Sequence, residues 1–179
     1  MPEKEMIHDP NAKTKHFTKG EIIQSRGLIS HNVFYVKKGL VRSYLIDSNG
    51  KEHIFMFASE GWLIADIESI EFHQPAQLFI DCIEDSEVLV IHRENQHLDF
   101  SNEEAVKEKL TQLYRRIGKL QRRIIMQMST PAVDRYGYFL QTYPDLPNRV
   151  PQYMIASYLG ITPQALSTIR KALSQKKES

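Results

Sequence analysis

Between Arg149 and Leu173 the chain reads RVPQYMIASYLGITPQALSTIRKAL, and the polar residues of this stretch are of the kinds that meet nucleic acid. Gln164 can pair bidentately with adenine, Ser167 and Thr168 can bond base edges, and Arg170 and Lys171 can neutralise phosphate. Gln152, Thr162 and Ala165 complete the candidate contact set. Such groups work only if a scaffold aims them outward together. Pro151 suits the first turn of one helix, where its missing N–H costs nothing, and Ile155, Ala156 and Leu159 give that helix an inward face. Gly160 ends it, since a tight interhelical turn needs a residue that tolerates positive φ. Thr162 then reads as an N-cap and Pro163 as a first helical residue, with Leu166, Ile169 and Leu173 at helical spacing. Ala156 leaves room for two helices to cross closely. The pattern is that of a helix-turn-helix, whose plain alternative is an ordinary helical hairpin.

Charge distribution favours the former. Lys and Arg number 10 against 16 Asp and Glu in residues 1–99, and 13 against 6 in residues 100–179. The formal net charge of +1 thus conceals an acidic front half and a basic back half, as expected if the C-terminal part sits against phosphates. A chain of 179 residues holds one good core and a smaller second one. No apolar run approaches the ~20 residues that span a bilayer, and the charged start MPEKEMIHDPNAK lacks the apolar core of a signal peptide, so a cytoplasmic protein with no membrane partner is expected. The single cysteine, Cys82, lies in the apolar run from Leu78 to Ile83 and reads as a buried structural thiol.

The elements follow in three blocks. From residue 17 to about 95, short runs rich in β-branched and aromatic residues (Val33 to Val36, Leu40 to Ile46, His53 to Ala58, Leu78 to Ile83, Glu87 to Ile91) alternate with turn signals. Asn49-Gly50 is a type I′ hairpin signal. These strands predict a jelly-roll barrel over residues 1–101. Over 102–129 the period lengthens to about three and a half: Val106, Leu110, Leu113, Ile117, Leu120 and Ile124 form an a/d seam flanked by Lys and Arg, which predicts a helix that pairs with a second copy. Residues 130–179 form the third block. Ser129-Thr130-Pro131 restarts the chain with a capping hydroxyl, and Val133, Tyr136, Phe139 and Leu140 give a core face to a helix that ends at Pro144 and Pro147. The fold class expected is α+β: an N-terminal jelly-roll barrel, a long dimerisation helix, and a three-helix C-terminal domain without a full wing.

This order of parts, with KKGLVRSYLIDSNGKE and EDSEVLVI in the barrel and the 149–173 stretch at the end, resembles the cyclic-AMP-receptor and fumarate-nitrate-regulator family of bacterial transcription factors, Crp/Fnr. It looks most like the shorter Crp/Fnr-like regulators of Bacteroidetes-type bacteria. The resemblance implies a homodimer on a palindromic double-stranded DNA operator, with half-sites about one helical turn apart and RNA polymerase as a further partner. It also implies an effector pocket in the barrel. Cyclic-nucleotide members bind phosphate through a Gly-Glu pair at the start of a short helix and an Arg-Ser or Arg-Ala pair just after it. Here the matching positions read Gly61-Trp62 and Ala76-Gln77, and no Arg or Lys lies between Lys51 and Arg93. A buried phosphodiester without a cation keeps its desolvation cost, so the effector expected is an unidentified small molecule and not cyclic AMP. Trp62, Phe72 and Phe79 could line an apolar pocket or belong to the core.

Other chemistries lack their residues. No cysteine cluster, His-x-His metal motif or nucleophile–base set is present, so no catalytic residue, metal site or cofactor is expected, His53 and His73 being lone barrel histidines as far as haem ligation goes. On the reading helix, Gln164 and Thr168 stand where many relatives carry Glu and Arg, so the operator should differ from the familiar family sites. With the chain stopping soon after Leu173, phosphate contacts fall to Arg170, Lys171, Lys176, Lys177, Arg149 and Gln152. The competing function is a ligand-binding or adaptor protein whose helix-turn-helix touches another protein.

Overall fold

Short strands packed in two layers build the N-terminal unit of the chain, and amphipathic helices build the C-terminal one. The computed structural model describes residues 11–92 and 103–177. Two compact units divide the chain, residues 1–97 and 98–179, which groups the long helix with the C-terminal helices. The expected boundary between residues 101 and 102 lies outside the described residues.

In the first unit β1 (Lys13–Phe17), β8 (Ser86–His92), β3 (Asn32–Lys38) and β6 (Leu63–Ile64) make one antiparallel sheet in that order. β2 (Ile22–Gln24), β7 (Phe79–Cys82), β4 (Val41–Ile46) and β5 (Glu52–Ala58) make the other. The two inner faces meet in a core of Phe34, Val36, Val41, Ala58, Ile64, Ile80, Cys82 and Val88, each exposed by 2% or less. This is the jelly-roll-like arrangement expected from the strand pattern. β1, β2, β6 and a short helix α1 (Ile67–Phe72) have no clear signal in the sequence, because each is too short or too polar to show a period.

The hairpin at Asn49-Gly50 differs from the expectation. Only Gly50 has positive φ (78°), and Ile46 pairs with Glu52, so the connection is a longer loop and not a two-residue type I′ turn. Asp47 decides this: its Oδ1 accepts from the N–H of Asn49 at 2.9 Å and of Lys51 at 3.0 Å, bending the chain before the glycine is reached. Its Oδ2 lies 2.7 Å from His53 Nε2, and that bond holds the Asp47 carboxyl below its ordinary pKa.

An ionic cluster on β4 has no counterpart in the sequence pattern. Arg42 bonds Asp81 with Nε at 2.8 Å and Nη2 at 2.9 Å, and Glu52 with Nη1 at 2.6 Å, while its guanidinium lies 4.2 Å from the Tyr44 ring centroid. Burial opposes the charge on Arg42, but the two carboxylates outweigh it and raise its pKa. Arg42 and Asp81 sit directly opposite each other in the β4–β7 register, and sequence spacing of 39 residues hides such a pair.

The second unit holds α2 (Glu103–Ser129), α3 (Ala132–Thr142), α4 (Leu146–Arg149), α5 (Gln152–Leu159) and α6 (Pro163–Lys177). Three details correct the expected start and core face of α3. Pro131 occupies its N-cap with no side-chain cap, while the Ser129 hydroxyl donates back to the Ile125 carbonyl within α2. Val133 is exposed and Leu140 only half-buried, so the core face is Tyr136, Phe139 and the following Tyr143. Pro147 sits in the first turn of α4, where its missing N–H is harmless, so it stands inside a one-turn helix and does more than end the previous one.

Burial at 1% exposure pushes the Cys82 thiol up to about 11. At pH 8 roughly one thiol in a thousand is then ionised, so the native protein resists iodoacetamide and reacts only when unfolded in urea. Mass-spectrometric labelling with and without urea measures this; rapid native labelling is the opposing result.

Candidate nucleic-acid interface and barrel pocket

The α5–α6 pair forms because one helix is stopped and the next is started within three residues. Gly160 adopts φ 67°, and its N–H reaches the Ser157 carbonyl at 3.1 Å while that of Ile161 reaches Ala156 at 3.0 Å. This is the paired 5→2 and 6→1 bonding of a Schellman turn, which satisfies two of the carbonyls that a helix end leaves open. Thr162 then caps α6, its Oγ1 accepting from the Ala165 N–H at 3.2 Å. Met154, Ile155, Ala156, Tyr158 and Leu159 of α5 and Leu166 of α6 are buried, and Phe139, Tyr143 and Tyr158 pack ring to ring beneath them.

What remains outward on α6 is polar. Gln164, Ser167, Thr168 and Lys171 are exposed, and Ala165 and Arg170 are half-buried. Residues 164, 167, 168 and 171 follow the three- and four-residue steps of one helix face, so they stand side by side. The Thr168 hydroxyl donates to the Gln164 carbonyl at 3.1 Å, which leaves its oxygen lone pairs and methyl to face outward. Gln152 is exposed at the start of α5, beside an exposed Tyr153 that is absent from the contact set expected from sequence. Thr162 is committed to its cap, and Arg149 is half-buried at the end of α4. Lys176 and Lys177 fall in the last turn of α6.

The seam residues lie along one side of α2. Leu110, Leu113, Ile117, Leu120 and Ile124 are each about half exposed in the single chain, and Val106 is half-buried. Tyr114, Ile125 and Met128 add apolar surface next to them. At about 1.5 Å per residue this 27-residue helix extends roughly 40 Å.

The four residues named for the barrel pocket are not one site. Gly61 is exposed in a turn with φ 86°, its N–H bonded to the Val36 carbonyl, and Trp62 packs against the barrel core. The short helix begins only after Asp66, so the pair at its start is Ala65-Asp66 and not Gly61-Trp62. Counting from Gly61 misplaces it because the two-residue strand β6 intervenes. Ala76 is buried and bonded through its backbone to Gly27 and Leu28. Gln77 is exposed on a shallow depression of about 440 Å3 lined also by Arg26, Leu45, Ile46, Asp47 and Ser48. Arg26 is a cation from outside the segment between Lys51 and Arg93, and its Nη1 donates to the Ile46 carbonyl at 3.2 Å. Phe72 is exposed, and Phe79 stacks on Tyr44.

Asp66 is the residue that sequence reasoning misses. Buried to 3% exposure, its carboxylate accepts from Gln77 N–H at 2.7 Å and Leu78 N–H at 2.9 Å through Oδ2, and from Ser69 N–H at 3.2 Å through Oδ1. A carboxylate of the protein itself thus holds the backbone donors that follow α1. The available signal is an Asp three residues before a Ser at a helix start, masked by the apolar residues around it. Among the described residues no group of three or more His, Cys, Asp or Glu is placed to hold a metal ion. His53 is engaged by Asp47, and His73 is the one non-glycine residue with positive φ among those described, its ring 5.5 Å from that of His31. Among the described residues, no helix is long and apolar enough to cross a membrane.

A two-sheet antiparallel barrel and a helical unit ending in a capped helix-turn-helix define a two-part α+β fold. Residues 14–97 match the family model of the cyclic nucleotide-binding domain. The chain as a whole has the fold of the Crp/Fnr transcription regulators. It is similar to FixK2 from Bradyrhizobium japonicum (20% identity, TM-score 0.76, covering 93% of this chain and 86% of that one). It is also similar to a mutant of CooA from Carboxydothermus hydrogenoformans (20% identity, TM-score 0.72, covering 98% and 85%). A third likeness is to a CRP-family transcriptional regulator from Thermus thermophilus (17% identity, TM-score 0.69, covering 91% and 85%). No curated protein sequence matches the chain significantly.

Removing the Asp66 carboxylate leaves buried amides without an acceptor. Asp66→Ala should lower the urea-unfolding free energy by roughly 2–4 kcal/mol, and Asp66→Asn, which keeps one acceptor oxygen, by less. Equal and negligible losses in both variants would show that the three bonds are not made in solution.

Proposed function

We propose that this chain is a homodimeric, sequence-specific DNA-binding transcription regulator of the Crp/Fnr type. The observation that carries the reading is the outward row of Gln164, Ser167, Thr168 and Lys171 on a helix whose other side is fastened to α5. A helix so placed can enter a major groove and meet base edges with neutral donors and acceptors, while Arg170, Lys171, Gln152 and Arg149 serve the phosphates. The half-exposed seam of α2, with heptad spacing through six residues from Val106 to Ile124, supports pairing with a second copy, because a two-stranded coiled coil removes that row from water. Two copies present two reading helices, which fits a palindromic operator. RNA polymerase is a further partner in this reading. The barrel acts on the reader through an unidentified effector or none.

The effector is not a cyclic nucleotide in this reading. The backbone donors at Gln77 and Leu78 already serve Asp66, so a phosphodiester arriving there would have to displace a carboxylate and would meet its charge. Arg26, at the rim beside Gln77, is the cation that argues the other way, although its guanidinium is turned to the Ile46 carbonyl. Calorimetric titration of the full chain with cyclic AMP and cyclic GMP should show no binding at micromolar ligand.

Selection from random double-stranded DNA should enrich a palindrome with half-sites about one helical turn apart. Gln164→Ala should relax specificity at one position per half-site and cost about 1–3 kcal/mol per contact, whereas Arg170→Ala should weaken binding across sequences and flatten its salt dependence. No enriched sequence would overturn the reading and leave the adaptor function.

Placing two charges in the seam with Leu113→Lys and Ile117→Lys should convert the dimer to a monomer in analytical ultracentrifugation, with helix content retained in the rest of the chain. A chain that is already monomeric at tens of micromolar would remove the paired-helix part of the proposal.

A further inference from the structure

One end of α5 is held by a residue that plays no part in the proposed DNA contacts. A helix leaves its last four carbonyls without intrahelical partners. At the end of α5 the turn amides take those of Ala156 and Ser157. The carbonyl of Tyr158 is taken by the side-chain amide of Gln127, whose Nε2 donates at 3.1 Å across 31 residues of sequence. Gln127 belongs to the last turn of α2. Four residues earlier, on the same side of that helix, the Arg123 guanidinium lies 4.3 Å from the Tyr158 ring centroid. From α3, Arg135 Nη1 donates to the Gln127 carbonyl at 3.4 Å. The turn itself also touches Gln127: a Cβ built on Gly160 would come within 3.0 Å of its Oε1.

These contacts converge on one point. The amide of Gln127 reaches the main chain of the turn, Arg123 reaches the side chain next to it, and the missing Cβ of Gly160 leaves the Gln127 oxygen its place. The Tyr158 phenol is raised by burial, with Arg123 partly opposing, so the ring under the guanidinium is neutral.

We propose that Gln127 is a positioning residue of the DNA reader, fixing the angle between α2 and the α5–α6 pair. This rests on the dimeric DNA-binding reading, and deepens it. In a dimer paired through α2, the angle at each α2 end sets the separation and twist of the two reading helices, and hence which half-site spacing fits. A single half-site does not sense that angle. Gln127 therefore governs spacing selectivity and leaves base readout to α6.

The test uses the full chain and Gln127→Met, which keeps the length and removes the amide, with Gln127→Glu as a second variant that keeps an oxygen but loses the donor. Duplexes selected by the wild-type chain are rebuilt with half-site spacing changed by one and two base pairs. The wild type should prefer its own spacing by about tenfold or more, and both variants should lose most of that preference, to about threefold or less, while binding an isolated half-site within about twofold of wild type. Unchanged spacing preference in both variants overturns the proposal. If the wild type selects no sequence, the function reading has failed, and a second measurement decides the geometry alone. Nitroxide labels at Arg116→Cys and Ser174→Cys report the distance from α2 to α6 in the chain without DNA. A narrow distribution that broadens in Gln127→Met supports the fixed angle, and one that stays unchanged overturns it.

Discussion

Two helices joined across Gly160, Ile161 and Thr162 must dispose of several carbonyls, one steric conflict and a new helix start at the same place, and the C-terminal unit is organised by that constraint. Positive φ at Gly160 resolves the steric part, turn amides answer two carbonyls, and Thr162 begins the next helix with its own hydroxyl. Once this joint is fixed, the burial of Leu166 along with Ile155 and Leu159 follows from helical spacing, and so does the outward direction of Gln164 and Thr168. The outward polar row is therefore a by-product of the joint. A residue with a Cβ at position 160 would disturb the turn through both its φ and the neighbouring Gln127 oxygen.

The barrel obeys a related rule with different materials. Two buried charged groups there are matched to partners on other elements: Arg42 to Asp81 and Glu52, and Asp66 to the amides of Gln77 and Leu78. Breaking such a pair strands a charge in a site from which water is largely excluded, which is costlier than never having placed it there. The Asp66 cluster also ties α1 to the approach to β7, so the protein's own carboxylate cross-links that segment.

How far the sequence discloses these features depends on whether the forces involved are local. The helix-turn-helix is legible because a glycine, a Thr-Pro start and an apolar period lie within 25 residues, and every one of them acts on its neighbours. The long strands β3, β4, β5, β7 and β8 are legible from runs of β-branched and aromatic residues between turn signals. The loop at Asn49-Gly50 misleads because Asp47, two residues earlier, competes for the same amides through its side chain. Gly61-Trp62 takes the place of Ala65-Asp66 because a two-residue strand carries no period by which to count. The Arg42–Asp81 pair and the approach of Arg26 to Gln77 come from strand register and topology, which no spacing in the chain announces.

The bond from Gln127 ends on a main-chain carbonyl, whereas Arg123 rests on the aromatic ring of the same residue. The two attachments therefore differ in what they tolerate over evolutionary time. Any residue at 158 that keeps α5 helical presents the carbonyl, so replacement of the tyrosine silences the ring contact and spares the amide bond. Drift at 127 does the opposite. The joint can thus lose either tether without the other: sequence at 158 can drift without touching the amide bond, whereas a change at 127 removes it.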